Sequence, residues 1–147
     1  RRMSTTHGGK DATMPAGSGQ GGAIVNLSSV AARLGGPGWY VDYAATKGAV
    51  QAWTRSAAKA WAGDRVTVNA LAPAMQTRGA DRLREFLGPH GGELVDQQLK
   101  FTIPLGGALG DPDRDLGPVL VFLAGDGAHF ITGQLLAIDG GLVMLGG

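Results

Sequence analysis

The 147-residue chain carries 13 Lys and Arg against 12 Asp and Glu, a formal net charge of +1, which gives no electrostatic case for a nucleic acid or an anionic membrane as partner. It has no cysteine, so a disulfide framework and a thiolate metal site are both excluded, and no run of about eighteen apolar residues occurs to suggest a membrane span. Hydrophobic residues make up 44% of the chain, enough for one domain with a sizeable core, and the 26 glycines follow no fixed period, which excludes collagen.

Residues 1–21 are polar and rich in Gly, Ser and Thr, and Arg1-Arg2-Met3 is not followed by an apolar signal-peptide core. This stretch reads as a flexible arm. Ala23 to Leu27 is a short apolar run with β-branched residues, closed by Ser28-Ser29. It predicts a strand buried on both faces, as in a parallel sheet. Gly35-Gly36-Pro37-Gly38 is a loop. Tyr40 to about Trp61 is dense in Ala and predicts the longest helix, capped at its end by Gly63. Ala44, Val50, Trp53, Ala57 and Trp61 do not share one stripe, so this helix is expected to be covered on more than one side, with a second subunit as one cover.

Arg65 to Leu71 predicts a second strand, ended by Pro73. Residues 77–103 predict two short helices split by Gly88-Pro89-His90-Gly91-Gly92. Asp113 to Ala124 predicts a further helix, with Pro118 tolerated only in a first turn. Gln134 to Ile138 predicts a third strand, closed by the turn Asp139-Gly140-Gly141. Strands separated by helices imply right-handed crossovers and a parallel sheet, hence an α/β fold. His90 and His129 lack metal-spaced partners and read as loop histidines.

The chemistry concentrates at Tyr43-Ala-Ala-Thr-Lys47, with Tyr43 fourteen residues after Ser29. Residues four apart share a helix face, so Lys47 sits beside Tyr43. A nearby cation favours the phenolate and lowers a tyrosine pKa, which suits a general acid or base. A serine hydroxyl at the end of a neighbouring strand can hydrogen-bond a substrate oxygen. The three together outline a site that protonates a carbonyl oxygen or deprotonates an alcohol while hydride moves elsewhere.

Five segments then carry a resemblance. They are Gly21-Gly22-Ala-Ile-Val-Asn-Leu-Ser-Ser29, Tyr43-Ala-Ala-Thr-Lys47-Gly-Ala-Val, Val66-Thr-Val-Asn69-Ala-Leu-Ala-Pro73, Phe130-Ile-Thr-Gly-Gln134 and Asp139-Gly-Gly141. In this order, over roughly residues 21–141, the chain resembles the C-terminal half of a short-chain dehydrogenase/reductase. The resemblance implies a Rossmann-like doubly wound parallel sheet, truncated to that half and occupying residues 22–147. It implies an NAD(P)-dependent oxidoreductase that interconverts a secondary alcohol and a ketone. Tyr43 would be the acid/base. Lys47 would lower its pKa and hold the nicotinamide ribose. Ser29 would polarise the substrate carbonyl, with Ser28 as fallback because the spacing to Tyr43 is one residue longer than the commonest in the family. Pro73, Ala74 and Thr77 would border the nicotinamide, although the family usually has Gly where Ala74 stands and Thr77 arrives one residue early. Asp139-Gly140-Gly141 would be a structural turn near a subunit interface of a homo-oligomer, dimer or tetramer. A cytoplasmic location fits the absence of cysteine.

The family's Gly-rich T-G-x-x-x-G-x-G turn, which presents a helix N-terminus to the pyrophosphate, is absent before the site. Gly17-Ser18-Gly19-Gln20-Gly21-Gly22 has no preceding strand to make it one. The chain is therefore expected to be a fragment that alone binds NAD or NADP poorly. The choice between the two cofactors rests on a strand that is also absent. The competing expectation is a catalytically inactive module that serves only in oligomerisation. Residues 75–105 lie where the family carries its substrate lid. Met75, Leu83, Phe86, Leu87, Leu94, Leu99, Phe101, Ile103 and Leu105, with Arg78, Arg82 and Arg84 nearby, fit a hydrophobic or anionic carrier-linked ketone.

Overall fold

The computed structural model describes residues 21–35 and 40–144. The expected flexible arm, residues 1–21, lies outside the described residues except for Gly21, as does most of the glycine-proline loop. In chain order the elements are β1 (Gly22–Leu27), α1 (Ala31–Leu34), α2 (Val41–Trp61), β2 (Val66–Pro73), α3 (Arg78–Thr102), a π-helical turn (Pro112–Leu116), α4 (Gly117–Ala124) and β3 (Leu135–Ile138). The sheet order is β1-β2-β3. β1 and β2 run parallel, with Gly22 opposite Val66 and Leu27 opposite Leu71. The hydrogen bonds Gly133 N–H to Val68 O and Ala70 N–H to Gln134 O step forward together along β2 and the approach to β3, as parallel pairing requires. The expected α/β architecture with a parallel sheet is what forms.

The chain divides into two units, one of residues 1–72 and 119–136 and the other of residues 73–118 and 137–147. In the first, β2 is the buried strand: Val66, Val68, Ala70, Leu71 and Ala72 are all at most 3% exposed. Ala57 and Ala58 of α2 pack on Val66 and Val68, with Ile24 of β1 against them. The small alanines let the helix approach the sheet closely, and the β-branched valines suit a strand covered on its faces. β1 differs from expectation, because its residues are only half-buried and Leu27 is exposed. Among the described residues it pairs on one side only, so it is the edge of this sheet.

The long helix α2 forms where predicted, but the residues it buries are Gln51, Thr54, Ala57 and Ala58. Val41, Trp53 and Trp61 are exposed, the two tryptophans meeting edge to face at 5.8 Å. The helix does not end on Gly63, which falls inside a 3₁₀ turn, Ala62–Asp64. The left-handed residue is Arg65, at φ 57° and ψ 28°. That conformation costs a side-chain-bearing residue about 1–2 kcal/mol, and glycine avoids it while giving back part of the gain in unfolded-chain entropy. Arg65→Gly is therefore expected to stabilise the chain by about 0.5–1 kcal/mol, raising Tm by about 2–4 °C. A urea midpoint that falls in the variant would contradict this.

In the second unit α3 is interrupted at Gly88 alone, at φ 69° and ψ 179°. Pro89 opens its second half, so His90, Gly91 and Gly92 are helical and His90 is not a loop residue. Arg84 braces the two halves by a 2.8 Å ion pair to Asp96 and also donates to Gln76, just before the helix, at 2.9 Å. The helix expected from Asp113 starts one residue earlier, beneath Asp111, whose side chain accepts from the Asp113 and Arg114 amides. Its first turn is π-helical, which leaves Pro118 in the opening turn of α4. After β3, Asp139 is buried and its carboxylate accepts from the Gly141 and Val143 amides. Gly140, at φ 63°, admits no side chain, since a Cβ there would stand 2.6 Å from Ile103 Cγ2.

Candidate functional site

In the first unit the strand end that carries Ser29 meets the helix that carries Tyr43 and Lys47. β1 ends at Leu27, and the next two residues run against the Lys47–Gln51 turn of α2. Lys47 Nζ donates to the Leu27 carbonyl at 2.9 Å. Ser28 Oγ donates to the Lys47 carbonyl and accepts from Gln51 Nε2, both at 3.1 Å. Gln51 Nε2 also donates to the Ser29 carbonyl at 3.1 Å. One turn further on, Asn26 Nδ2 donates to Thr54 Oγ1, which in turn donates to the Val50 carbonyl. The face of α2 that meets β1 is thus a polar stripe of Lys47, Gln51 and Thr54, four and three residues apart, which places them on one side of a helix.

These bonds separate the two candidate serines. Ser28 is 4% exposed and its hydroxyl is spent as both donor and acceptor. Ser29 is half-buried, and its Oγ accepts from the Ala31 amide at 3.2 Å, two residues on. Its hydroxyl proton has no acceptor among the described residues. Ser29 can donate to a ligand, whereas Ser28 would have to break its contacts with α2. The sequence reading missed α1 itself. The signal was Ala31-Ala-Arg-Leu34, a run of good helix formers.

Tyr43 lies in the first turn of α2 and is 38% exposed. Its ring packs on Tyr40 with centroids 4.5 Å apart, and Lys47 Nζ stands 5.6 Å from the Tyr43 ring centroid. Burial, followed by the charge and the hydrogen bond of Tyr43, pushes the Tyr40 phenol above the ordinary tyrosine value. Lys47 has three donors and commits one to Leu27, so its ammonium retains the capacity to bind a ligand diol.

Pro73, Ala74 and Thr77 belong to the second unit. The Ala74 amide donates to the Ile138 carbonyl and its own carbonyl accepts from Gly110, so both backbone groups are spent; Pro73 has no amide proton to offer. Ala74 can therefore border a ligand by packing only, and Pro73 can offer it no donor. Thr77 is exposed and its Oγ1 caps α3 by accepting from the Ala80 amide at 3.4 Å. Ala74 lines a cleft of about 710 Å³ with Met75, Leu105, Gly110, Ile138 and Gly140. Of the nine apolar residues expected at a lid, Met75 and Ile103 are buried, while Phe86, Phe101 and Leu105 are at least 80% exposed. Arg84 is committed within α3, and Arg78 and Arg82 are exposed. Among the described residues no cluster of His, Asp and Glu has metal-site geometry, and His129 Nδ1 lies 2.9 Å from the Asp126 carbonyl.

A family model described as enoyl-(acyl carrier protein) reductase matches residues 3–143. The 3-oxoacyl-(acyl-carrier-protein) reductase FabG of Staphylococcus aureus is 41% identical over 124 residues, 84% of this chain and 46% of that protein. The protein of the same name from Thermotoga maritima is 39% identical over 124 residues, with the same shares. The chain spans about half the length of the curated relatives it matches. Among solved structures, the Cj0485 dehydrogenase superposes with a TM-score of 0.74 at 32% identity, covering 85% of this chain and 47% of that one. A candidate 2-deoxy-D-gluconate 3-dehydrogenase from Agrobacterium tumefaciens, solved with bound NADP, superposes with a TM-score of 0.69 at 29% identity, covering 82% and 46%.

Proposed function

Since the chain belongs to the short-chain dehydrogenase/reductase family, we propose that it carries the proton-transfer site of an NAD- or NADP-dependent oxidoreductase that interconverts a secondary alcohol and a ketone. One observation carries the reading. The strand end at Ser29 is tied by hydrogen bonds to the helical turn holding Lys47, and Tyr43 stands one turn before Lys47 on the same helix. NADP bound to the Agrobacterium tumefaciens protein supports the cofactor class.

A bound nicotinamide supplies or accepts the hydride. The residues of this chain act on the oxygen. Ser29, its Oγ already fixed by the Ala31 amide, donates its proton toward the substrate oxygen and steadies the charge that develops there. The Tyr43 hydroxyl gives its proton to that oxygen in reduction and takes it back in oxidation. Lys47 places a cation beside the phenol and offers its remaining donors to a ribose diol. Taken by themselves, Pro73 and Ala74 would hold a nicotinamide by packing, and Thr77 would hold its carboxamide through its hydroxyl. Taken by itself, α3 exposes Leu83, Phe86, Leu94 and Phe101 together with Arg78 and Arg82, a composition suited to a hydrophobic or anionic carrier-linked ketone. The acyl-carrier wording in the names of the S. aureus and T. maritima relatives supports that substrate class. Steady-state assays with NADH and NADPH against simple ketones and 3-oxoacyl thioesters test the proposal. Consumption of neither cofactor with any of them would contradict it.

The exposed Val41, Trp53 and Trp61 on α2 favour a second reading, in which this helix forms a homo-oligomer interface and the chain works as an interaction module. Light scattering combined with a cofactor titration separates the two. An oligomer that binds no cofactor supports the module, and a monomer contradicts it.

A further inference from the structure

We propose that Gln51 is the positioning residue that sets Ser29 relative to Tyr43 and Lys47, an inference that rests on the Ser29–Tyr43–Lys47 reading above. Gln51 is 6% exposed, and a polar side chain buried that deeply needs partners for its donors. It spends Nε2 on two targets of the same strand end, Ser28 Oγ and the Ser29 carbonyl, each at 3.1 Å. An amide nitrogen has two protons, so both are accounted for. Ser28 continues the link by donating to the Lys47 carbonyl, and Lys47 Nζ reaches back to the Leu27 carbonyl. Leu27, Ser28 and Ser29 are therefore each held by the single helical turn from Lys47 to Gln51.

The geometry explains why an amide is needed there. Ser29 and Lys47 arrive on different elements, and an apolar side chain at position 51 would hold them only by contact, which sets no direction. The Nε2–H to Ser29 carbonyl bond fixes the plane of the peptide that follows Ser29, and with it the direction of the Ser29 Cα–Cβ bond. The Ser29 Oγ to Ala31 amide bond then selects the side-chain rotamer. Catalytic groups held by locked neighbours in this way keep their productive geometry, and a displacement of about 1 Å costs up to about 100-fold in rate. Gln51 acts through Ser29 and touches no reacting atom itself.

The Ala31 amide provides a readout that needs no turnover, because its proton is bonded to Ser29 Oγ. In Gln51→Met, which keeps the length of the side chain and removes both donors, hydrogen exchange at Ala31 is expected to accelerate by at least about tenfold. The Val68 amide, bonded to Thr132 Oγ1 in the sheet, is expected to stay within about twofold and so to report that the fold is intact. Gln51→Glu is the second variant, for the case in which Gln51→Met fails to fold. It keeps size and polarity but presents a carboxylate oxygen to the Ser29 carbonyl, and the same loss at Ala31 is expected. Unchanged Ala31 exchange in either folded variant would overturn the inference. In turnover, Gln51→Met is expected to lower kcat by about 10–100-fold with cofactor KM unchanged, and to cost nothing further when Ser29→Ala is already present. Full additivity of the two substitutions would likewise overturn it. A Tyr43→Phe variant that keeps its turnover would sink the underlying site reading and leave the Ala31 result standing, so the two failures are distinguishable.

Discussion

Asn69→Ala is expected to remove about 2–4 kcal/mol of stability, enough to unfold a chain of ordinary margin. Asn69 sits in the middle of β2 at 1% exposure. Its Nδ2 donates to the Ile131 carbonyl at 2.8 Å, and its Oδ1 accepts from the Gln134 amide at 3.1 Å. One side chain thereby satisfies both an acceptor and a donor of the segment that leads into β3. Alanine leaves both backbone groups without that partner in a place water reaches poorly, and each costs about 1–3 kcal/mol. The adjacent bonds Gly133 N–H to Val68 O and Ala70 N–H to Gln134 O would lose their register with it. Urea denaturation followed by circular dichroism checks this. A loss below about 1 kcal/mol would mean that the loop re-satisfies itself in another conformation.

Asn69 also marks how far the sequence could be read. Its strand was legible, because Val66-Thr-Val is a run of β-branched residues and Pro73 stops the ladder. The tie from Asn69 to residues 131 and 134 was not, since nothing local distinguishes a buried asparagine from a strand-end one. The start of α2 at Val41 was equally legible from its alanine density and freedom from proline. Which residues it buries within the single chain was not legible. The eye goes to Trp53 and Trp61, which are exposed, whereas Gln51 and Thr54 are buried because they meet the polar end of β1. Gly63 looked like the helix stop, yet the sign of φ at a helix end depends on how the chain must turn to enter β2, and that turn falls on Arg65. The edge position of β1 depends on which strands exist to pair with it, a tertiary fact that no local pattern carries. The adjacency of Tyr43 and Lys47 was legible, because residues four apart on a helix are neighbours by helical geometry alone. The different bonding of Ser28 and Ser29 was not, since it lies in hydrogen bonds to Lys47, Gln51 and Ala31.

Tyr43→Phe is the second large effect. The substitution keeps the ring, and with it the packing on Tyr40 at 4.5 Å and the approach of Lys47 at 5.6 Å. Tyr43 is 38% exposed, so little buried surface depends on its oxygen, and Tm is expected to move by no more than about 2 °C. What disappears is the hydroxyl proposed to exchange a proton with the substrate oxygen. General acid–base transfer contributes about 10²–10⁴-fold, and in the proposed reduction Ser29 can polarise the carbonyl but does not replace Tyr43 as the source of the proton that the oxygen takes up. Lys47 remains but has no phenol to act on.

The measurement that tests the account most directly is kcat/KM of the wild type and of Tyr43→Phe, taken side by side with a reduced nicotinamide cofactor and a ketone. The account predicts a fall of at least about 100-fold in the variant at unchanged fold. Turnover retained within about fivefold would contradict the assignment of Tyr43 as the acid/base group.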